Sequence, residues 1–229
     1  MKKIITMAVM LTFGYVAAQE KVETESFGFT KGNIFVGGDI SVTAIKGTET
    51  DEGVDEYEIK TSMVGIAPKV GYFFTDRLAA GVGINYMSGK NTTTEVLNDG
   101  TTEQKTDKTN GFGGQLFARY YFLNIGKRFH VYSELNAGFA SLKIESIRAD
   151  ATTEGTMKST DVGFDLGMNY FVTPKLAVSF TLSNLLKYSN MKIESGESDQ
   201  SGKSTNFSAN LNIFKNFFET PTFGLLYKF

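Results

Sequence analysis

Residues 62–86 read SMVGIAPKVGYFFTDRLAAGVGINY, and the spacing of apolar side chains along this stretch decides the fold. Val64, Ile66, Val70, Tyr72 and Phe74 share one parity, and after Thr75-Asp76 so do Leu78, Ala80, Val82, Ile84 and Tyr86. A period of two is the strand period, because successive side chains leave opposite faces of a sheet. The other parity is small: Gly65, Ala67, Lys69 and Gly71, then Ala79, Gly81, Gly83 and Asn85. A water-facing surface would carry far more charge. The apolar parity is therefore predicted to face lipid and the small parity a narrow lumen. About ten alternating residues suffice to cross a bilayer as a tilted strand. Lipid offers no partner for edge backbone groups, so such a sheet must close on itself.

The pattern repeats on both sides of this hairpin. Residues 32–44 carry Ile34, Val36, Ile40 and Val42 on one face. Phe112, Leu116, Ala118, Tyr120 and Phe122 mark a fourth strand, and Phe129, Val131, Leu135, Ala137 and Phe139 a fifth. Val162, Phe164, Leu166, Met168 and Tyr170 mark a sixth, and Leu176, Val178, Phe180 and Leu182 a seventh. Residues 206–213 alternate, 214–220 interrupt, and the chain ends on Phe223, Leu225, Tyr227 and Phe229, which predicts one long, broken last strand. The connections alternate in length. Thr75-Asp76, residues 123–127 and Thr173-Pro174 are tight turns, while residues 46–60, 90–109, 147–160 and 190–203 are long and rich in Thr, Ser, Gly, Asp, Glu and Lys. The expected fold is all-β: a closed antiparallel transmembrane β-barrel of eight strands, with short turns at one end and four long loops at the other.

The N-terminus predicts export. Lys2 and Lys3 precede an apolar run to Val16, and Val16-Ala17-Ala18 offers a cleavage site, so residues 1–18 read as a signal peptide. Residues 19–31 then form a short segment before a barrel of residues 32–229. The absence of cysteine excludes a lipid-anchored N-terminus, disulfides and thiolate metal sites. A formal net charge of −2 argues against a nucleic-acid partner.

Two groups of side chains stand out. Tyr72-Phe73-Phe74-Thr75, Tyr120-Tyr121-Phe122-Leu123 and Tyr170-Phe171-Val172-Thr173 each end a strand at a short turn. Of these, Tyr72, Phe74, Tyr120, Phe122 and Tyr170 lie on the lipid parity, as an interfacial aromatic girdle requires. The lumen parity carries Asp39, Lys69, Gln115, Arg119, Glu134, Asp165 and Asn169. Buried charges are costly unless paired, so an internal ion-pair network is expected, with Arg119 against Glu134 and Lys69 beside Asp39 or Asp165. It would either plug the barrel or line a polar pore.

His130 is the only histidine, and it lies near a short turn without a second metal-ligating partner. Residues 46–60 hold six acids and two lysines; such a cluster could bind a hard cation such as Ca²⁺, but its spacing fits no EF-hand, and the favoured reading is a solvated acidic loop. No phosphate-loop, nucleophile-elbow or zinc-protease motif is present. No cofactor, metal or catalytic residue is expected.

The alternating terminal strand Phe223-Gly224-Leu225-Leu226-Tyr227-Lys228-Phe229, ending on an aromatic, resembles the outer-membrane β-barrel family of small OmpA- and OmpX-like barrels. The resemblance covers nearly the whole mature chain and lies in pattern. It implies a bacterial outer-membrane location, periplasmic short turns, outer loops, and recognition of Phe223, Leu225, Tyr227 and Phe229 by the barrel-assembly machinery. The implied partners are membrane lipids, lipopolysaccharide and a surface partner met by the outer loops. A monomer without enzymatic activity is expected, in a structural or surface-interaction role. A narrow channel for ions or small solutes is the alternative, and a lipid-modifying enzyme ranks last. The chain stops at its last strand, which predicts no further periplasmic domain. The absence of Trp departs from the family's usual girdle.

Overall fold

The computed structural model describes residues 26–51, 54–97, 101–149, 151–195, 201–210 and 221–229; the expected signal peptide lies outside them. Nine strands are described: β1 (Ile34–Asp51), β2 (Val54–Phe73), β3 (Leu78–Leu97), β4 (Thr102–Ile125), β5 (Phe129–Arg148), β6 (Ala151–Phe171), β7 (Leu176–Ser195), β8 (Ser201–Ala209) and β9 (Pro221–Lys228). Each strand from β1 to β7 pairs antiparallel with the next. β9 pairs with β7 on one side and β1 on the other, so the hydrogen-bonded strands form a ring.

Nine segments fill eight places in this ring. β9 meets the inner half of β7, from Leu176↔Tyr227 to Leu182↔Pro221, and β8 meets its outer half, from Leu186↔Ala209 to Glu194↔Ser201. The last strand is thus long and broken. β7 is itself irregular at this level: its register against β6 shifts between Phe164 and Leu166, and Asn184 takes a positive φ of 59°. Asn tolerates the left-handed region, and a bulge leaves the extra residue out of the ladder. The freed Asn184 amide donates instead to Asp165 Oδ1 at 2.7 Å.

The tight turns follow from local chemistry. Thr75 Oγ1 accepts from the Leu78 amide at 2.9 Å, and Thr173 Oγ1 accepts from the Leu176 amide at 3.0 Å. A threonine hydroxyl that caps the amide three residues on stabilises a reversal without a long loop.

The long polar connections are laddered. β1 and β2 stay paired to Asp51↔Val54, β3 and β4 to Val96↔Thr102, and β5 and β6 to Arg148↔Ala151. Polarity alone predicts loops there, but Thr and Ile favour strands, and facing side chains hold the rungs. Lys108 Nζ reaches Glu145 at 3.2 Å, Lys143 reaches Glu154 at 2.9 Å, and the Thr92 and Thr106 hydroxyls meet at 3.4 Å. The outer end is therefore a set of hairpins that prolong the barrel wall.

The alternating faces lie as the residue types dictate. Val82, Ile84, Leu116, Leu135 and Val162 point outward and are about half exposed or more, whereas Phe35, Phe73, Tyr132 and Phe171 point inward and are fully buried. The core is inside the ring, at the short-turn end.

Candidate functional site: the barrel lumen

The inner end of the lumen is filled by aromatic rings. Residues 72–74, 120–122 and 170–172, two aromatic triplets and Tyr-Phe-Val, each alternate outward, inward, outward at a short turn. Tyr72, Phe74, Tyr120, Phe122 and Tyr170 are 40–52% exposed on the outer wall, while Phe73, Tyr121 and Phe171 are buried within. Phe35, Phe117 and Tyr132 join them from β1, β4 and β5. Gly167 lies directly beneath the Tyr132 ring, where a Cβ would collide with it. That close approach is what glycine supplies on this strand.

The segment before β1 completes this layer from below. Phe29 stacks on Phe73 with centroids 4.3 Å apart and meets Tyr121 at 4.8 Å and Phe171 at 5.1 Å. Gly28 has a φ of 93° and passes so close to the His130 ring that no side chain fits there. Lys228 Nζ donates to the carbonyls of Ser26 (3.0 Å) and Gly28 (2.8 Å), tying this segment to the last strand. The part of residues 19–31 that is described is therefore tucked into the barrel mouth.

His130 sits at the same level. Its Nδ1 is 2.8 Å from Asn124 Oδ1 and its Nε2 3.3 Å from the Lys127 carbonyl. Both nitrogens are engaged by the β4–β5 turn, and the ring edge meets Phe171 at 5.3 Å. This arrangement pins a turn.

Above the aromatic layer lies a polar one. Arg119 is 1% exposed. Its Nε donates to Glu134 Oε2 at 2.7 Å, and its Nη2 lies 2.6 Å from the same oxygen. Its Nη1 donates to the Tyr121 hydroxyl at 3.2 Å, and its guanidinium carbon lies 3.9 Å over the Tyr132 ring. The chain of bonds continues: Asn169 Nδ2 donates to the Tyr121 hydroxyl at 2.6 Å, and Ser179 Oγ donates to Asn169 Oδ1 at 2.8 Å. Tyr132 and Thr181 hydroxyls meet at 2.8 Å. Strands β4, β5, β6 and β7 are thus bridged across the lumen. Among the described residues no buried side-chain nitrogen or oxygen lacks a partner, the condition under which a buried charge pair is tolerable.

A second pair lies one level further out, with Lys69 Nζ 3.1 Å from Asp39 Oδ2. Asp165 stands apart from both pairs and accepts from Asn136 Nδ2 at 2.8 Å and from the Asn184 amide. Gln115 packs between Gly83 and Gly138. These residues floor a cavity of about 340 Å³ that opens to the outer end, with Met87 and Leu142 on its upper wall. A neighbouring cavity of about 230 Å³ adds Asp161 and Lys187, which lie 3.5 Å apart. Both cavities lie on the outer side of the Arg119–Glu134 pair and the aromatic layer.

The acidic stretch 46–60 carries its only described carboxylate contacts at Glu58, which Lys46 (2.9 Å) and Lys60 (2.6 Å) bracket. These contacts hold the Glu58 carboxyl below the usual carboxylate range. No cluster of three metal-ligating side chains occurs among the described residues. At the C-terminus, Phe223 and Leu225 point outward, Tyr227 and Phe229 rings meet at 4.8 Å, and the Phe229 amide donates to the Ile34 carbonyl at 2.8 Å.

Lumen parity was readable in the sequence, but the large rings on it were missed. The signal was present: three large apolar residues in a row at a strand end, as at 72–74, 120–122 and 170–172, must send the middle one inward. Phe29 lies before the alternation and gave no such sign.

An antiparallel ring of strands with an apolar outer wall and a polar, partly filled lumen defines a membrane β-barrel of the bacterial outer-membrane class. Residues 6–213 match the outer membrane protein beta-barrel domain, and the chain belongs to that family. It is an integral protein of the outer membrane. Similar solved structures include OprG from Pseudomonas aeruginosa (13% identity, 88% of this chain and 98% of that chain, TM-score 0.46). Ail of Yersinia pestis is similar at 12% identity, covering 87% of this chain and all of that one, with a TM-score of 0.39. Outer membrane protein W of E. coli is similar at 12% identity over 87% of this chain and 99% of that chain, with a TM-score of 0.38. No curated protein matches the sequence.

Proposed function

We propose that this chain is a structural or surface-interaction barrel, without enzymatic activity, whose lumen is plugged at the periplasmic end. The observation that carries this reading is the two-storey floor: the aromatic layer around Phe29 and Phe73, capped by Arg119 bonded to Glu134 and stacked on Tyr132. A permeating ion would have to break a fully satisfied buried network, which is expensive in a low-dielectric interior. The outer hairpins are the surface that remains for a partner. The engagement of His130 by its own turn supports a non-catalytic reading of that residue.

The proposal extends to how the chain reaches its place. Residues 1–18 direct export, and the terminal Phe223, Leu225, Tyr227 and Phe229 are read by the barrel-assembly machinery, after which the barrel stands as a monomer. Deleting Phe229 is expected to slow insertion, because it removes both the terminal ring and the bond to Ile34.

The deciding experiment is single-channel conductance of the mature protein in a planar bilayer. Silence from folded protein is expected. Steady, salt-dependent steps would replace the plugged barrel with a narrow channel lined by Asp39, Lys69 and Asp165.

A further inference from the structure

The charges around the two lumen cavities do not balance. Of the carboxylates that line them, Asp39 is held by Lys69, Glu134 by Arg119 and Asp161 by Lys187. Asp165 is the one left over: it is 8% exposed and has no cationic partner among the described residues. Directly opposite it, across β5 and β6, stands Glu134, a second carboxylate. Like charges in that relation repel, and a buried carboxylate without a counter-ion is costly. Arg119 does not supply one. Its Nε and Nη2 both lie on Glu134 Oε2, and its Nη1 donates to Tyr121.

The fold's own use of Asp165 does not require the charge. Asp165 accepts from Asn136 Nδ2 at 2.8 Å and from the Asn184 amide at 2.7 Å, which secures the irregular part of β7. An asparagine at 165 would serve both, because its Oδ1 accepts from the Asn184 amide and the Asn136 amide group can turn to accept instead of donate. An ionised carboxylate has about four acceptor sites, so roughly half of them stay open.

The surroundings define the cation that fits. Asp165 stands on the wall shared by the cavities of about 340 Å³ and 230 Å³, and Asn85, Gln115 and Ser183 line both with it. Their amide and hydroxyl oxygens accept N–H protons. A hard metal ion takes roughly six or more oxygens, several of them carboxylates, and the other carboxylates here are spent on their own cations. An ammonium group needs only a few acceptors around its N–H donors. On its upper wall the larger cavity turns apolar. Met87 and Leu142 converge over Gly111, where a Cβ would collide with Leu142, and Ala140 lies beside them. A few polar groups on an apolar wall are the makings of a small-molecule site, and methionine adapts its shape to an irregular chain. We infer that the lumen binds a small linear primary amine, its ammonium group on Asp165 and its aliphatic chain between Met87 and Leu142. This site goes beyond the structural role and holds whether or not the floor beneath it conducts.

The test is a chemical-shift titration of the isotope-labelled mature protein, folded in zwitterionic detergent, with n-butylammonium. The reporter is the Asn184 amide, whose hydrogen bond ends on Asp165; a saturable shift is expected there. Asp165→Asn keeps both hydrogen bonds and is expected to bind at least about tenfold more weakly. On the unsubstituted protein, n-butanol and butyrate are expected not to saturate. The bare ammonium ion is expected to bind at least about tenfold more weakly than n-butylammonium, since it buries no chain. Should Asp165→Asn fail to fold, as judged by heat-modifiable gel mobility, this ligand series decides alone. No saturable shift with n-butylammonium, equal binding by folded Asp165→Asn, or equal binding of n-butanol would overturn the inference. Ammonium or potassium ion binding as tightly as the amine would also overturn it, since the cavity would then be a site for an inorganic cation.

Discussion

At the short-turn end, rings from five strands and from the segment before β1 meet inside the wall, and Arg119 and Glu134 are buried above them. At the outer end the same wall runs on through Thr92↔Thr106 and Glu145↔Glu154 with its pairs in water. One end is held by a packed interior, the other by its ladder and by side chains facing across strands. Equal changes at the two ends should therefore have unequal costs.

The largest cost is expected at the buried pair. Arg119→Met leaves the Glu134 carboxylate without its partner, and urea unfolding in lipid vesicles should show a loss of about 3–5 kcal/mol. Adding Glu134→Leu should recover much of that loss; if the double variant stays as unstable as the single, the pair is not the cause. Next comes the lipid face: Val82→Arg should cost about 2–4 kcal/mol, and an unchanged stability would mean the faces are reversed. The outer rungs should be far more tolerant, with Thr92→Ala within ~0.5 kcal/mol by the same assay. A cost near that of Arg119→Met would erase the contrast between the ends.

Acid should sharpen it. Glu58 is held below the usual carboxylate range by its hydrogen bonds to Lys46 and Lys60, and Glu194 by Lys192 and Lys158. A carboxyl lowered on folding stabilises fully above its unfolded value and loses that contribution as pH falls through the folded one. Amide protection in the outer rungs of β1, β2 and β7 should therefore drop below the ordinary glutamate range, with the inner rungs unmoved. Uniform loss at both ends would show that the effect is global.

How much of this was legible follows the same division. The lipid face was readable because period-two alternation needs only residue type, and strands joined by tight turns must be neighbours. Counting rungs from the residue 123–127 turn brings Arg119 and Glu134 onto facing positions of β4 and β5. The outer hairpins were not readable as strands, because alternation disappears when both faces meet water. The aromatic floor was hidden by the rule that a narrow lumen takes small residues. Gly71, Gly81 and Gly167 satisfy that rule only by making room for the rings of Phe35, Phe117 and Tyr132. The docking of Phe29 depends on contacts with four strands distant in sequence, which no local pattern encodes.

The ring closes unevenly. β1 meets β2 from Ile34↔Tyr72 to Asp51↔Val54, yet it meets β9 only from Phe35↔Lys228 to Asp39↔Gly224 among the described residues. A belt opens at its buckle. Mechanical load drawn through the C-terminus falls first on this short overlap, so single-molecule pulling should strip β9 in one early, low-force step and then unzip the long hairpins two strands at a time.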